Sequence, residues 1–317
     1  MKESMVYPGS NSQGAATPWR FLERHALPLG IVLMFLFTWP IGLVLAAESR
    51  DLVSFSIPLP IAVLVGYGFV LATLLMTGLL RGKGGIVALL RRYLIWRVGI
   101  GWYLVVLVMP ALIYLAAIAV YILLEGQSPN FSNTMARQIF GSGISLWLVF
   151  PFLFFDMLTN GEEIGWRGYV LPRLQWRQSA LISSFILGVI WAAWHIPKFL
   201  VVGNPTPFGW YVGMTIARAI LFTWVYNNTI GSLLMVTILH AAYNTAYVFL
   251  PLAPQVTGEP EMFKIAVVIE CVVAIIVVLV FGSENLSRRY PAQFETPETE
   301  LSTPSSNFDL KIPWKTH

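Results

Sequence analysis

Eight stretches of this chain are so apolar, and so nearly free of charge, that a water-soluble fold has no place for them: 25–47, 55–80, 102–124, 143–159, 179–200, 210–226, 230–252 and 263–281. A helix needs roughly 20 mainly apolar residues to cross a bilayer, and in hydrocarbon it satisfies its own backbone hydrogen bonds. The expected fold is therefore all-α: a polytopic transmembrane helix bundle of about eight spans. With 56% hydrophobic and 11% charged residues in 317, the chain as a whole agrees with that class.

The remaining sequence divides around this domain. Residues 1–20 are polar and rich in Gly, Ser and Pro, and 283–317 is rich in Pro, Ser, Thr and Glu; both read as disordered cytoplasmic tails flanking a membrane domain at 21–282. Between the second and third spans, residues 81–97 mix basic and apolar positions at helical spacing, as in a segment lying in the interface against anionic headgroups of the lipid bilayer. Most of the 20 Lys and Arg fall in the two tails and in the loops after the second and fourth spans, which predicts both termini in the cytoplasm (N-in/C-in), with the plasma membrane of a bacterium as the setting. The net charge of +4 thus marks topology, and no basic run interleaved with aromatics points to nucleic acid. The single Cys271 lies in an apolar stretch and reads as a packing residue.

Ionisable and polar side chains at membrane depth are costly unless they pair or act. Those within or at the ends of the expected spans are Asp156, Glu162, Glu163, Arg167, His195, Arg218, His240, Asn244 and Glu270. Glu163 and Arg167 are four apart and share a helix face, whereas Glu162 points about 100° away. Trp191 and His195, and likewise His240 and Asn244, are four apart, and Pro197 is expected to break the helix just after His195. Asp156, Arg218 and Glu270 read as interhelical hydrogen-bonding or charge partners.

A carboxylate in a low-dielectric pocket is a usable general base for water, and two neutral imidazoles with a carboxamide can orient that water and donate to a developing oxyanion. Glu162, His195, His240 and Asn244 therefore suffice for hydrolysis, with Glu163 and Arg167 as support. The same Glu162, His195 and His240 would alternatively ligate a divalent metal such as zinc, so the residues leave a metal-free and a metalloprotease-like hydrolase both open.

The pattern EExxxR at Glu162 to Arg167, the aromatic-xxx-His at Trp191 to His195, and HxxxN at His240 to Asn244 resemble, in this order, the three motifs of the CPBP intramembrane proteases, the group of type II CAAX prenyl endopeptidases and bacteriocin-processing (Abi-like) proteins. The resemblance covers about residues 145–250. It implies a helical bundle with its site facing the cytosolic half of the membrane, and endopeptidase activity on membrane-associated protein or peptide substrates. It makes Glu162 the base that activates water, His195 a partner holding that water, and His240 with Asn244 the oxyanion site, with Glu163 and Arg167 supporting. Two departures stand out: Trp191 takes the place of the usual phenylalanine, and 228–232 differs from the Arg-Thr-Gly-Ser turn common before the third motif. There is no HExxH, GxGD or GxSxG pattern. The competing expectation is a catalytically silent membrane binding or immunity protein, or a small transporter, that uses the same polar core.

Overall fold

The computed structural model describes residues 18–58, 61, 64–141 and 146–288. The expected tails lie outside these residues at 1–17 and 289–317. Among the described residues every regular element is helical: α1 Pro18–Arg24, α2 Ala26–Glu48, α3 Tyr67–Arg91, α4 Ile100–Glu125, α5 Met135–Phe140, α6 Val149–Thr159, α7 Glu162–Gly165, α8 Leu171–Gln175, α9 Ala180–Trp194, α10 Ile196–Phe199, α11 Phe208–Asn228, α12 Leu233–Phe249, α13 Pro254–Thr257 and α14 Glu261–Phe281. Six of these (α2, α3, α4, α11, α12 and α14) are long and apolar enough to cross a membrane. The outer faces of α2, α3, α4 and α14 carry exposed Leu36, Leu71, Leu104, Leu112, Leu123, Ile275 and Leu279, apolar surface suited to hydrocarbon.

The fourth and fifth expected spans differ from the other six. They form as α6, of 11 residues, and α9, of 15 residues, which reach only about 16 and 22 Å at 1.5 Å per residue. The fourth ends where expected, at Thr159, with Asn160 extended after it, and is shorter at its start, where Leu146–Leu148 form a 3-10 turn before α6; the fifth is closed early by the His195-Ile196-Pro197 sequence, since a proline removes a backbone donor and disfavours helix in the residue before it. The second span starts later than the apolar run does, at Tyr67, and continues to Arg91 across a break at Gly82. Gly82 has φ 61° and ψ −162°, a conformation that a side chain resists, and it turns the basic segment 83–91 away from the span. Arg92 then donates to the Tyr226 hydroxyl at 2.6 Å, and Ser232, the N-cap of α12, donates to the Ile95 carbonyl at 2.7 Å. The interfacial segment is thereby tied to the helices of the core.

Helix α12 is the axis of the bundle. In its most apolar window 72% of the residues are buried, against 22–50% in the other five long helices. It packs on α4, α6 and α11, while α11 also packs against α9 and α14, and α2 against α3. Buried Arg218 of α11 bonds Glu270 of α14 through Nε and Nη2 at 3.0–3.3 Å and also the Tyr114 hydroxyl of α4, joining three helices with the charge pairing the sequence anticipates. Two indoles pin α2 to the end of α9: Trp39 Nε1 donates to the Trp194 carbonyl at 2.9 Å, and Trp194 Nε1 to Thr38 Oγ1 at 2.7 Å. These bonds set the place where His195 leaves its helix.

Residues 283–286 pack against the helices. The carbonyls of Ser283 and Glu284 accept from the backbone of Leu181 and Ala180, and those of Asn285 and Leu286 accept from the carboxamides of Asn227 and Asn228. Leu286 is fully buried.

Helices α9 and α11 meet at Gly188, where an added Cβ would lie 2.6 Å from the Ile216 Cα. Because backbone cannot yield as a flexible side chain does, Gly188→Val is expected to separate the two helices and to destabilise the protein by about 1–3 kcal/mol. A thermal unfolding midpoint in detergent equal to that of the wild type would contradict this packing.

Candidate active site

Both acidic residues of the motif start a helix that is interrupted at once. After α7, residues Trp166–Val170 form a single π-helical turn, in which the Leu171 N–H reaches back to the Trp166 carbonyl, and α8 follows with Pro172 in its first turn. A π turn suits this place because Pro172 has no N–H to offer the α-helical ladder, and such turns recur at functional sites. Glu162 and Glu163 diverge as their spacing requires, and each meets its own partners.

Glu163 and Arg167 are completely buried. Arg167 Nη1 donates to Glu163 Oε1 at 2.9 Å, and His240 Nδ1 lies 2.7 Å from the same oxygen. Among the described residues Arg167 Nε and Nη2 have no hydrogen-bond acceptor, and the guanidinium instead faces the rings of Phe222 at 4.4 Å and Trp191 at 5.0 Å, a cation–π arrangement that offsets part of its desolvation. One acid thus holds a helical neighbour and a histidine from α12 together.

Glu162 is half-buried and bonds differently. Its Oε2 accepts from the indole N–H of Trp191 on α9 at 2.9 Å and from that of Trp166, one turn along its own helix, at 3.2 Å. The Trp191 ring also stands 5.6 Å from the His240 ring and 6.2 Å from the His195 ring, centroid to centroid. The three motifs therefore converge around one indole. His195 Nδ1 lies 2.9 Å from the Trp191 carbonyl, which can only accept, so Nδ1 carries the proton and Nε2 is left as an acceptor.

The same reasoning modifies what the sequence suggests for His240. With Nδ1–H donating to Glu163, its Nε2 can donate to an oxyanion only in the imidazolium form, and the neighbouring Glu163 carboxylate is the counter-charge for that form. Asn244, one turn further on α12, donates through Nδ2 to both carboxylate oxygens of Asp156 at 3.1–3.2 Å. Asp156 of α6 is therefore joined to the third motif. Its position six residues before Glu162, with a helix break between, hides that proximity from sequence spacing. Among the described residues no three His, Cys, Asp or Glu side chains are grouped as a metal would require, so Glu162, His195 and His240 do not form a ligand set in this arrangement.

Removing one member of a buried ion pair leaves the other charge uncompensated, at a cost of about 3–5 kcal/mol. Glu163→Ala is expected to incur that loss, and Glu163→Gln a smaller one, because its amide oxygen still accepts from Arg167. Denaturant or thermal unfolding in detergent measures both, and equal stability of Glu163→Ala and wild type would contradict the role drawn for this acid.

Residues 142–246 match the family model described as type II CAAX prenyl endopeptidase Rce1-like, a segment that contains all three motifs and every residue of the site just described. A curated relative, CAAX prenyl protease 2 of Methanococcus maripaludis, is 30% identical over 153 residues, which make up 44% of this chain and 53% of that protein. The chain thus spans about half the length of the relative it matches. Over residues 142–246 the chain is thus similar to the Rce1-like type II CAAX prenyl endopeptidases.

Proposed function

We propose that this protein is an intramembrane endopeptidase that hydrolyses peptide bonds of membrane-associated proteins or peptides, with its site open to the cytoplasmic side of the bilayer. The observation that carries the reading is the convergence of Glu162, His195 and His240 on the Trp191 ring, within the segment that matches the family.

A water molecule has two protons to donate. In this mechanism one goes to the Glu162 carboxylate and the other is shared with bare Nε2 of His195, so the two groups fix the oxygen lone pair toward the scissile carbonyl. As the oxygen attacks, Glu162 takes the first proton, the new C–O bond forms, and the carbonyl oxygen becomes an oxyanion. His240, through Nε2–H of its imidazolium, and the second N–H of the Asn244 carboxamide stabilise that charge. The C–N bond then breaks, and the leaving amine receives the proton held on Glu162. Glu163 and Arg167 touch no reacting atom and hold His240 in place. Glu162, His195 and Asn244 are half-buried, so that substrate can reach them, whereas the supporting pair is sealed. No step of this scheme uses a metal.

Comparison of the membrane peptides of cells making wild type or Glu162→Gln identifies the substrate as the species whose cleavage is lost. With that substrate, Glu162→Gln and His195→Ala are each expected to lower kcat by about 10²–10⁴, the range for general acid–base catalysis, and His240→Ala by about 10²–10³, the range for an oxyanion donor. Activity that disappears on exhaustive chelation and returns with zinc would replace the glutamate mechanism with a metal-dependent one. Normal processing by a well-folded Glu162→Gln would remove the assignment altogether.

Orientation follows from the excess of Lys and Arg in the tails and in the loops after the second span and after α8. A reporter fused after Arg177 is expected to read cytoplasmic, and a signal from the opposite face would invert the arrangement.

A further inference from the structure

Two indole N–H groups from different elements end on one oxygen of Glu162. Trp191 reaches Oε2 from α9 at 2.9 Å and Trp166 reaches it from the π turn at 3.2 Å, while Oε1 receives neither. The alignment is held on both sides. Trp166 is fully buried with its ring edge-on to Phe69 at 4.7 Å, and Trp191 is almost fully buried against Phe222 at 5.8 Å. Buried indoles need an acceptor for their single N–H, and here both use the same atom.

Resting on the hydrolytic reading above, we infer that Trp166 and Trp191 are positioning residues that clamp Glu162 by Oε2 and thereby assign Oε1 as the atom that takes the proton from water. An indole fits this task chemically. It has one donor, no acceptor and no titratable proton, so it fixes the carboxylate without competing for the water proton and without adding charge. A phenylalanine at 191 would fill the same space among Phe222, His240 and Arg167 but leave Oε2 with a single donor. The charged and titratable groups around Glu162 are Glu163 and Arg167 on its own helical segment, His195 at the end of α9, His240 on α12 and Tyr211 on α11; the change at 191 keeps all of them but takes the indole face from the Arg167 guanidinium, a contact that Trp166→Phe leaves intact.

The test is the pH dependence of kcat/KM for Trp191→Phe, Trp166→Phe and the double variant, using the substrate found through Glu162→Gln. Donors on the ionised carboxylate favour that form, so their removal moves the acid limb of the profile to higher pH. Each single variant is expected to shift it by about one unit, the size expected for one hydrogen bond to a charged group, and the double variant further. At pH values well above the limb, kcat falls only to the extent that Oε1 loses its aim. A uniform loss of kcat with an unmoved limb, in variants whose unfolding midpoints match wild type, would reduce both indoles to packing and overturn the inference. If Trp191→Phe does not fold, Trp166→Phe alone decides, since it removes a donor from the same oxygen. Should Glu162→Gln itself remain active, the hydrolytic reading fails first, and that outcome is separate from an unmoved limb in an enzyme that still requires Glu162.

Discussion

A buried carboxylate shared by two cationic or potentially cationic partners is the constraint on which the rest of this site depends. Glu163 cannot reside at membrane depth alone, and neither can Arg167, so each requires the other, and their spacing of four residues lets one short helix supply both. The pair then imposes conditions on its surroundings. His240 must approach from α12 to share Oε1, which fixes the rotation of the most buried helix of the bundle, and the faces of Phe222 and Trp191 must cover the guanidinium. Once α12 is set in this way, Asn244 falls one turn along on the face that reaches Asp156 of α6. A single ionic contact therefore registers α6, α7, α9, α11 and α12 against one another.

The two adjacent acids are separated by the kind of donor each receives. Glu163 is held by a guanidinium and an imidazole, whose charge or potential charge compensates its own. Glu162 is held by two neutral indoles, which orient the carboxylate but leave its charge available. This contrast separates the two acids more firmly than exposure does, although exposure agrees, since Glu163 is sealed and Glu162 half-buried, and it underlies the roles proposed for them. Each acid has its helical donor at the same spacing, Trp166 for Glu162 and Arg167 for Glu163. The order of residues in EEIGWR thus encodes both environments at once.

Much of this was legible in the sequence, for reasons that can be named. Helical class followed from the apolar runs, and the pairing of Glu163 with Arg167 and the break after His195 followed from helix geometry and from Pro197, all of them local rules. What the sequence left open lies where contacts depend on tertiary placement. The fourth and fifth apolar runs look long enough to span, yet their α-helices have 11 and 15 residues, because the fourth begins only after a 3-10 turn at Leu146–Leu148 and Pro197 ends the fifth early, and a helix end depends on backbone geometry and not on hydropathy alone. Asp156 is the interhelical hydrogen-bonding partner that the sequence suggests, but that its partner is Asn244 shows only when α6 is laid against α12. Sequence spacing likewise does not show that Glu163 lies 2.7 Å from Nδ1 of His240, a contact 77 residues apart, and that contact is why the proposed mechanism uses His240 as an imidazolium.

The departures from the family pattern can be read in the same physical terms. At 228, in the turn before α12, an asparagine stands where a charged residue is usual, and it uses its carboxamide to hold the Leu286 carbonyl, as Asn227 holds that of Asn285. These bonds, with those from Ala180 and Leu181 to residues 283 and 284, fasten the end of the last long helix over the start of α9. A carboxamide suits that role better than a guanidinium, because backbone carbonyls at a buried corner need a donor but supply no counter-charge. The change at 191 follows similar logic, since an indole in place of a benzene ring adds one neutral donor at a point where a carboxylate requires one. In both places the residue present has a hydrogen-bonding capacity that matches the acceptors that the surrounding elements present.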